Sequence, residues 1–107
     1  MLVLLVWSNA FSQPFDFRSY QVEKGLSNNT VTCSLQDKRG FMWFGTKDGL
    51  NRFDGLSFKV FRQITGDSNS LGNNSITRLL QDKQGVLWVG TERGLYRYNE
   101  EKENFSL

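Results

Sequence analysis

Two aspartates and two arginines recur in this sequence at one spacing, Asp37 with Arg52 and Asp82 with Arg97. A carboxylate held against a guanidinium is half of an acid–base arrangement. Catalysis, however, happens once per site, whereas scaffolding happens once per repeat. The recurrence therefore assigns these residues to turns and stabilising hydrogen bonds. Trp43 and Trp88 recur as well, and an indole can stack on the face of a sugar ring. Each sits in an all-apolar run, "FMWF" or "VLWV", which makes it a bulky core residue between packed layers. Gly45 and Gly90, two residues further on, share that structural reading.

The polar pairs are more open to a binding role. Asn28-Asn29 and Asn73-Asn74 offer amide donors and acceptors in fixed places, as a hydroxyl-rich ligand requires. Asparagine also tolerates left-handed backbone and satisfies turn groups. Identity between the copies favours that structural role, since one ligand rarely needs the same contact from every unit. The positions that differ, Lys47-Asp48 against Glu92-Arg93, are the better ligand candidates. Cys33 aligns with Arg78, is no shared requirement, and reads as a small, partly buried residue.

Composition narrows the chemistry further. Histidine is absent and Cys33 is the one cysteine among 107 residues, which removes most zinc sites, any Cys–His pair and any internal disulfide. No cofactor and no metal are expected. The net charge is +2 without a run of like charges, so there is no electrostatic footprint for nucleic acid. A hydrophobic share of 38% and a charged share of 22% suit one small folded domain. At the start, "MLVLLVWSNAFSQ" has an apolar run followed by small and polar residues. That pattern fits a secretory signal peptide over residues 1–12, although no Lys or Arg precedes the run.

The elements that must position these residues come from an internal repeat. Leu26–Phe53 aligns without a gap on Leu71–Tyr98, with more than half of the positions identical. A period of about 45 residues points to solenoids, propellers or arrays. Within one period, Val31–Gln36, Phe41–Thr46, Leu50–Phe53 and Ser57–Phe61 read as short strands. The turns Asp37–Gly40, Lys47–Gly49 and Asp54-Gly55 separate them. The second copy repeats this order, with a longer loop over Asn99–Asn104 before a last strand from Phe105. In the second strand Met42 and Phe44 point one way, Phe41 and Trp43 the other, and all four are apolar. A strand apolar on both faces needs a covering layer on each side. A two-sheet sandwich leaves one face wet, whereas four-stranded units stacked face to face are the blades of a β-propeller.

The motif "L(S/G)NN(T/S)(V/I)T…QDK.G..W.GT..GL.R(F/Y)" resembles the two-component regulator propeller repeat. The stretch "FRSYQVEKGLSNNTV" resembles the usual opening of the sensors that carry it. The resemblance implies an all-β chain: an orphan strand over residues 13–25 that would close the ring, a first blade over 26–70 and a truncated second blade over 71–107. Two blades fall short of the roughly four to eight that close a propeller; a ring of about seven is expected here. The chain is thus expected to be the N-terminal piece of a longer sensor, its partners being the remaining blades. The resemblance further implies a periplasmic location, a glycan-derived oligosaccharide as ligand, and a homodimeric, membrane-anchored histidine kinase as the parent. The catalytic domains of that parent would lie beyond Leu107, so the chain itself is not expected to be an enzyme. Two alternatives stand beside this reading, a propeller serving as a protein-interaction scaffold and a fragment of a propeller-fold polysaccharide-active enzyme.

If residues 1–12 are a signal peptide, N-terminal sequencing of the exported chain should read from Phe11 or Gln13. A product that keeps Met1 in the cytoplasm would overturn that assignment.

Overall fold

The computed structural model describes residues 25–28 and 30–107. The segment expected to be a signal peptide (1–12), the expected orphan strand over 13–25 except Gly25, and Asn29 lie outside the described residues. Eight strands follow one another: β1 (Val31–Gln36), β2 (Met42–Thr46), β3 (Gly49–Phe53), β4 (Phe58–Phe61), β5 (Ile76–Gln81), β6 (Leu87–Thr91), β7 (Gly94–Asn99) and β8 (Asn104–Ser106). They form two four-stranded antiparallel sheets in plain meander order, β1-β2-β3-β4 and β5-β6-β7-β8. The architecture is all-β, two propeller blades laid face to face. No helix among the described residues is long and apolar enough to cross a membrane.

Turn chemistry explains the strand limits. Asp37 accepts the N–H groups of Arg39 (2.9 Å) and Phe41 (3.0 Å) on one carboxylate oxygen. Its own N–H donates to the Phe41 carbonyl at 2.9 Å. Phe41 is thereby consumed by the turn, and β2 begins one residue later than the sequence pattern suggests. Asp82 binds Gln84 and Val86 in the same way. On the other side of β2, Thr46 donates to the Gly49 carbonyl (2.9 Å) and accepts the Asp48 N–H (2.9 Å). Thr91 does the same for Gly94 and Arg93. Gly49 carries φ +118°, a conformation that residues with a side chain rarely adopt.

One core lies between the sheets. Trp43, Leu50 and Phe61 of the first sheet meet Leu71 of the intervening link and Ile76, Leu87, Val89, Tyr98 and Phe105 of the second. The rings interlock: Tyr98 stands edge-on to Trp43 at 5.0 Å and to Phe61 at 5.7 Å, and Phe105 stands edge-on to Phe61 at 5.4 Å. Such edge-to-face pairs add to the area they bury. The sheets pack tightly at Gly45, where a Cβ would lie 2.6 Å from the Ile76 Cγ2 of the second sheet and 2.5 Å from the Cys33 Sγ of its own. Beside it, the Thr32 hydroxyl donates to the Ile76 carbonyl at 2.6 Å. The outward row of the second sheet is the Trp88 row and not the Leu87 and Val89 row, which is buried against the first sheet.

The two tryptophans therefore occupy equivalent positions with unequal cover: Trp43 is 1% exposed, whereas Trp88 is only half-buried. In the 107-residue chain Trp43→Ala should cost about 3–5 kcal/mol by opening a cavity. Trp88→Ala should cost clearly less. Chemical denaturation of the two variants checks this, and equal losses would contradict the asymmetry.

Candidate functional site

The candidate residues gather on one rim, and the strand order explains why. In each sheet the turn between the second and third strands emerges on the same side as the link that enters the first strand. The Gly49 N–H donates to the Asn74 carbonyl at 2.7 Å, and the Glu92 N–H to the Ser75 carbonyl at 3.1 Å. The Asn73–Ser75 link thus runs between the two turns, with Lys47-Asp48 beside it in the first sheet and Glu92-Arg93 in the second.

Within that rim the amides already have work. Asn28 Oδ1 accepts the Thr30 N–H at 2.7 Å, and Asn73 Oδ1 accepts the Ser75 N–H at 2.8 Å, the same local turn in both copies. Asn74 Oδ1 accepts the Gln63 N–H at 2.6 Å and so ties down the loop leaving β4. The charged pairs differ from them. Asp48 holds Arg62 in an exposed ion pair at 3.3 Å, the kind that contributes little to stability. Lys47, Glu92 and Arg93 are exposed and make no side-chain hydrogen bond or ion pair among the described residues. The signs reverse between the copies, Lys47 matching Glu92 and Asp48 matching Arg93, so the rim presents mixed charges.

The recurrent aspartates and arginines are separated and not paired. Asp37 receives the Trp43 indole N–H on its second oxygen at 2.8 Å, and Asp82 receives that of Trp88 at 2.9 Å. The Trp88 hydrogen bond, followed by the backbone N–H groups, holds the Asp82 carboxyl below its ordinary value. Arg52 reaches across to the second sheet, donating to the Tyr98 hydroxyl at 3.0 Å and pairing with Glu103 at 3.0 Å. Glu103 also holds Lys59, and these two contacts, Lys59 first, lower its pKa. Burial raises the Tyr98 phenol. No proton-transfer pair results: each carboxylate is consumed by an indole or by cations, and each serves packing.

Three features escaped the sequence pattern. Glu103, from the longer loop before the last strand, is the carboxylate that fastens the sheets together, and it lies outside the aligned repeat. Buried Asn51 exchanges two hydrogen bonds with Ser27, at 3.0 and 2.8 Å, while the Ser27 hydroxyl meets that of Thr46 at 3.0 Å. The second copy replaces Asn51 and Ser27 by Tyr96 and Gly72. A Cβ on Gly72 would lie 1.8 Å from the Tyr96 hydroxyl oxygen, so the larger side chain requires the glycine. That paired change was a signal available in the alignment. The third feature is a cleft of about 320 Å³ on the opposite side from the rim, lined by Asp37, Arg39, Gln81, Gln84, Tyr98 and Glu100 among others. The Arg39–Glu100 pair, 3.5 Å apart, bridges the two sheets there, and Gln81 accepts the Lys38 N–H at 3.0 Å.

Cys33 is half-buried against Gly45, and desolvation raises its thiol pKa, which leaves it a poor nucleophile. Among the described residues no group of three or more His, Cys, Asp and Glu could hold a metal ion. What the rim can do chemically is bind: it offers exposed charges of both signs and amide N–H donors beside oxygens already in use.

Residues 25–48 and 70–93 match the family model described as two component regulator propeller. A curated relative, Histidine kinase P4 of Formosa agariphila, is 43% identical over 68 residues, which is 64% of this chain and 5% of that protein. Among solved structures, the extracellular domain of the hybrid two component system BT3049 from B. thetaiotaomicron superposes with a TM-score of 0.72 at 39% identity, covering 80% of this chain and 12% of that one. A structure of the BT4673 extracellular domain from the same organism gives a TM-score of 0.62 at 27% identity, covering 71% and 11%. The chain thus spans a small fraction of the length of each relative it matches.

Proposed function

From a chain that carries two repeats of the two-component regulator propeller family, we propose that these blades belong to the extracytoplasmic sensing region of a signal-transducing histidine kinase. The two solved structures named above are described as extracellular domains, which supports a location outside the cytoplasm, the periplasm in a bacterium with two membranes. The residues here supply scaffold and ligand contacts, and the parent's kinase chemistry is carried elsewhere. The parent is a membrane-anchored homodimer.

The composition of the rim supports one ligand class. Positions that carry the repeat (Asn28, Asn73, Asn74, Thr46, Asp37) are consumed by turns and seams. Three of the side chains at positions that vary between copies, Lys47, Glu92 and Arg93, gather on one edge with no structural task. That division of labour is the observation on which the reading rests. Mixed charges and amide donors without a single-sign field suit a hydroxyl-rich ligand such as a glycan-derived oligosaccharide. Binding there would act by favouring one arrangement of the dimer over another, the differential affinity setting the size of the shift.

The test is direct. Combined Lys47→Ala, Glu92→Ala and Arg93→Ala exchanges in the full-length sensor should abolish or reduce by about tenfold its response to a fractionated oligosaccharide mixture. Stability should change by under about 0.5 kcal/mol per exchange. An unaltered response would remove this rim from the ligand site.

A further inference from the structure

We infer that the cleft opposite the rim is a binding site for a free α-amino acid with an apolar side chain, held by both of its charges. The cleft shares no residue with the rim, so the inference stands apart from the oligosaccharide reading. Its volume of about 320 Å³ is walled by both repeats, with Asp37 and Arg39 from the first and Val86, Leu87, Tyr98 and Glu100 from the second. Small-molecule sites begin at about this size.

An unspent donor supplies the first support. Tyr98 is only 6% exposed. Its oxygen accepts an N–H of Arg52 at 3.0 Å, and its own proton has no acceptor among the described residues. A buried hydroxyl without a partner is costly. The guanidinium on its oxygen polarises the O–H bond, and burial keeps the phenol protonated. Such a donor calls for an anionic acceptor.

The charges then specify the ligand. Arg39 and Glu100 stand 3.5 Å apart, 44% and 57% exposed. Neither side chain makes a hydrogen bond among the described residues. An exposed pair of this kind contributes little, so parting it costs little. Phe41 keeps the guanidinium in place, its ring centroid 4.6 Å away. An anion alone would meet Glu100 and Asp37, and a cation alone would meet Arg39 and Arg97. A zwitterion answers both signs. Its carboxylate takes the Arg39 guanidinium and the Tyr98 O–H, and its ammonium takes Glu100. In an α-amino acid one carbon holds the two groups roughly 3 Å apart, close to the spacing of the pair that they part. The ligand's side chain then lies toward Val86 and Leu87.

Titration of the 107-residue chain with leucine, followed by backbone amide NMR, tests this. Leucine should bind with a Kd on the order of 1 mM, shifting the amides of Arg39, Gln84 and Glu100 and leaving those of Lys47 and Glu92 in place. Its hydroxy-acid analogue, α-hydroxyisocaproate, lacks the ammonium and should bind at least about tenfold more weakly. Arg39→Gln should weaken leucine at least about tenfold. Glu100→Gln should weaken it as much and remove the preference for leucine over the hydroxy acid. Both exchanges lie on exposed side chains, where the fold tolerates them. Tyr98→Phe keeps the ring and should weaken both ligands by a similar factor, about fivefold. Absence of any leucine-dependent shift at about 10 mM, or shifts confined to the rim, would overturn the inference. So would equal affinity of the unaltered chain for the two ligands, or leucine affinity unchanged by Arg39→Gln and Glu100→Gln.

Discussion

The fold of the described residues depends on a seam at which two sheets approach closely enough for Ile76 to rest on Gly45. A strand apolar on both faces cannot be stable in a single layer, and β2 is such a strand. Absence of a side chain at Gly45 lets the neighbouring backbone come near enough for the Thr32 hydroxyl to reach the Ile76 carbonyl. Around that contact Trp43, Phe61, Tyr98 and Phe105 close a single aromatic core that belongs to neither sheet alone. The sheet is thus the repeating unit of sequence, while the seam between sheets is the repeating unit of packing.

Polar residues are allotted around this seam in a consistent way. Asp37 and Asp82 each satisfy two turn N–H groups and one indole N–H, so a single carboxylate fixes both a turn and the wedge residue beside it. Arg52 lies along the aromatic rings, within 5.3 Å of Phe41 and 5.8 Å of Trp43, and its charge is answered by Glu103 across the seam. Among the polar side chains left without such a task, Lys47, Glu92 and Arg93 stand together on the rim.

Much of this was legible in the residues. The alternation in β2, the Asp–x–x–Gly turns and the recurrence of Trp and Gly specify short strands, their order and a propeller in preference to a sandwich. Strand starts shifted by a residue where side chains compete for the backbone, as Asp37 does at Phe41. The unequal burial of the two tryptophans was not legible, because identical residues in identical local structure differ only in what covers them. Nor was Glu103, which lies off the repeat in a loop, adopts φ +53° and finds Arg52 and Lys59 only in three dimensions. The Gly72–Tyr96 replacement of Ser27–Asn51 lies between these cases: the sequence shows the paired change, and the structure shows why one side requires the other.

The central claim is that close approach at the seam, and not the glycine's own flexibility, is what Gly45 provides. Comparing Gly45→Ala with Gly90→Ala by equilibrium denaturation isolates it, since both glycines sit at the same place in the repeat and neither has a positive φ. Gly45→Ala should lose about 1–3 kcal/mol, the usual cost of overpacking, because the added methyl meets Ile76 and Cys33. Gly90→Ala should be nearly neutral. Equal effects at the two positions would contradict the account.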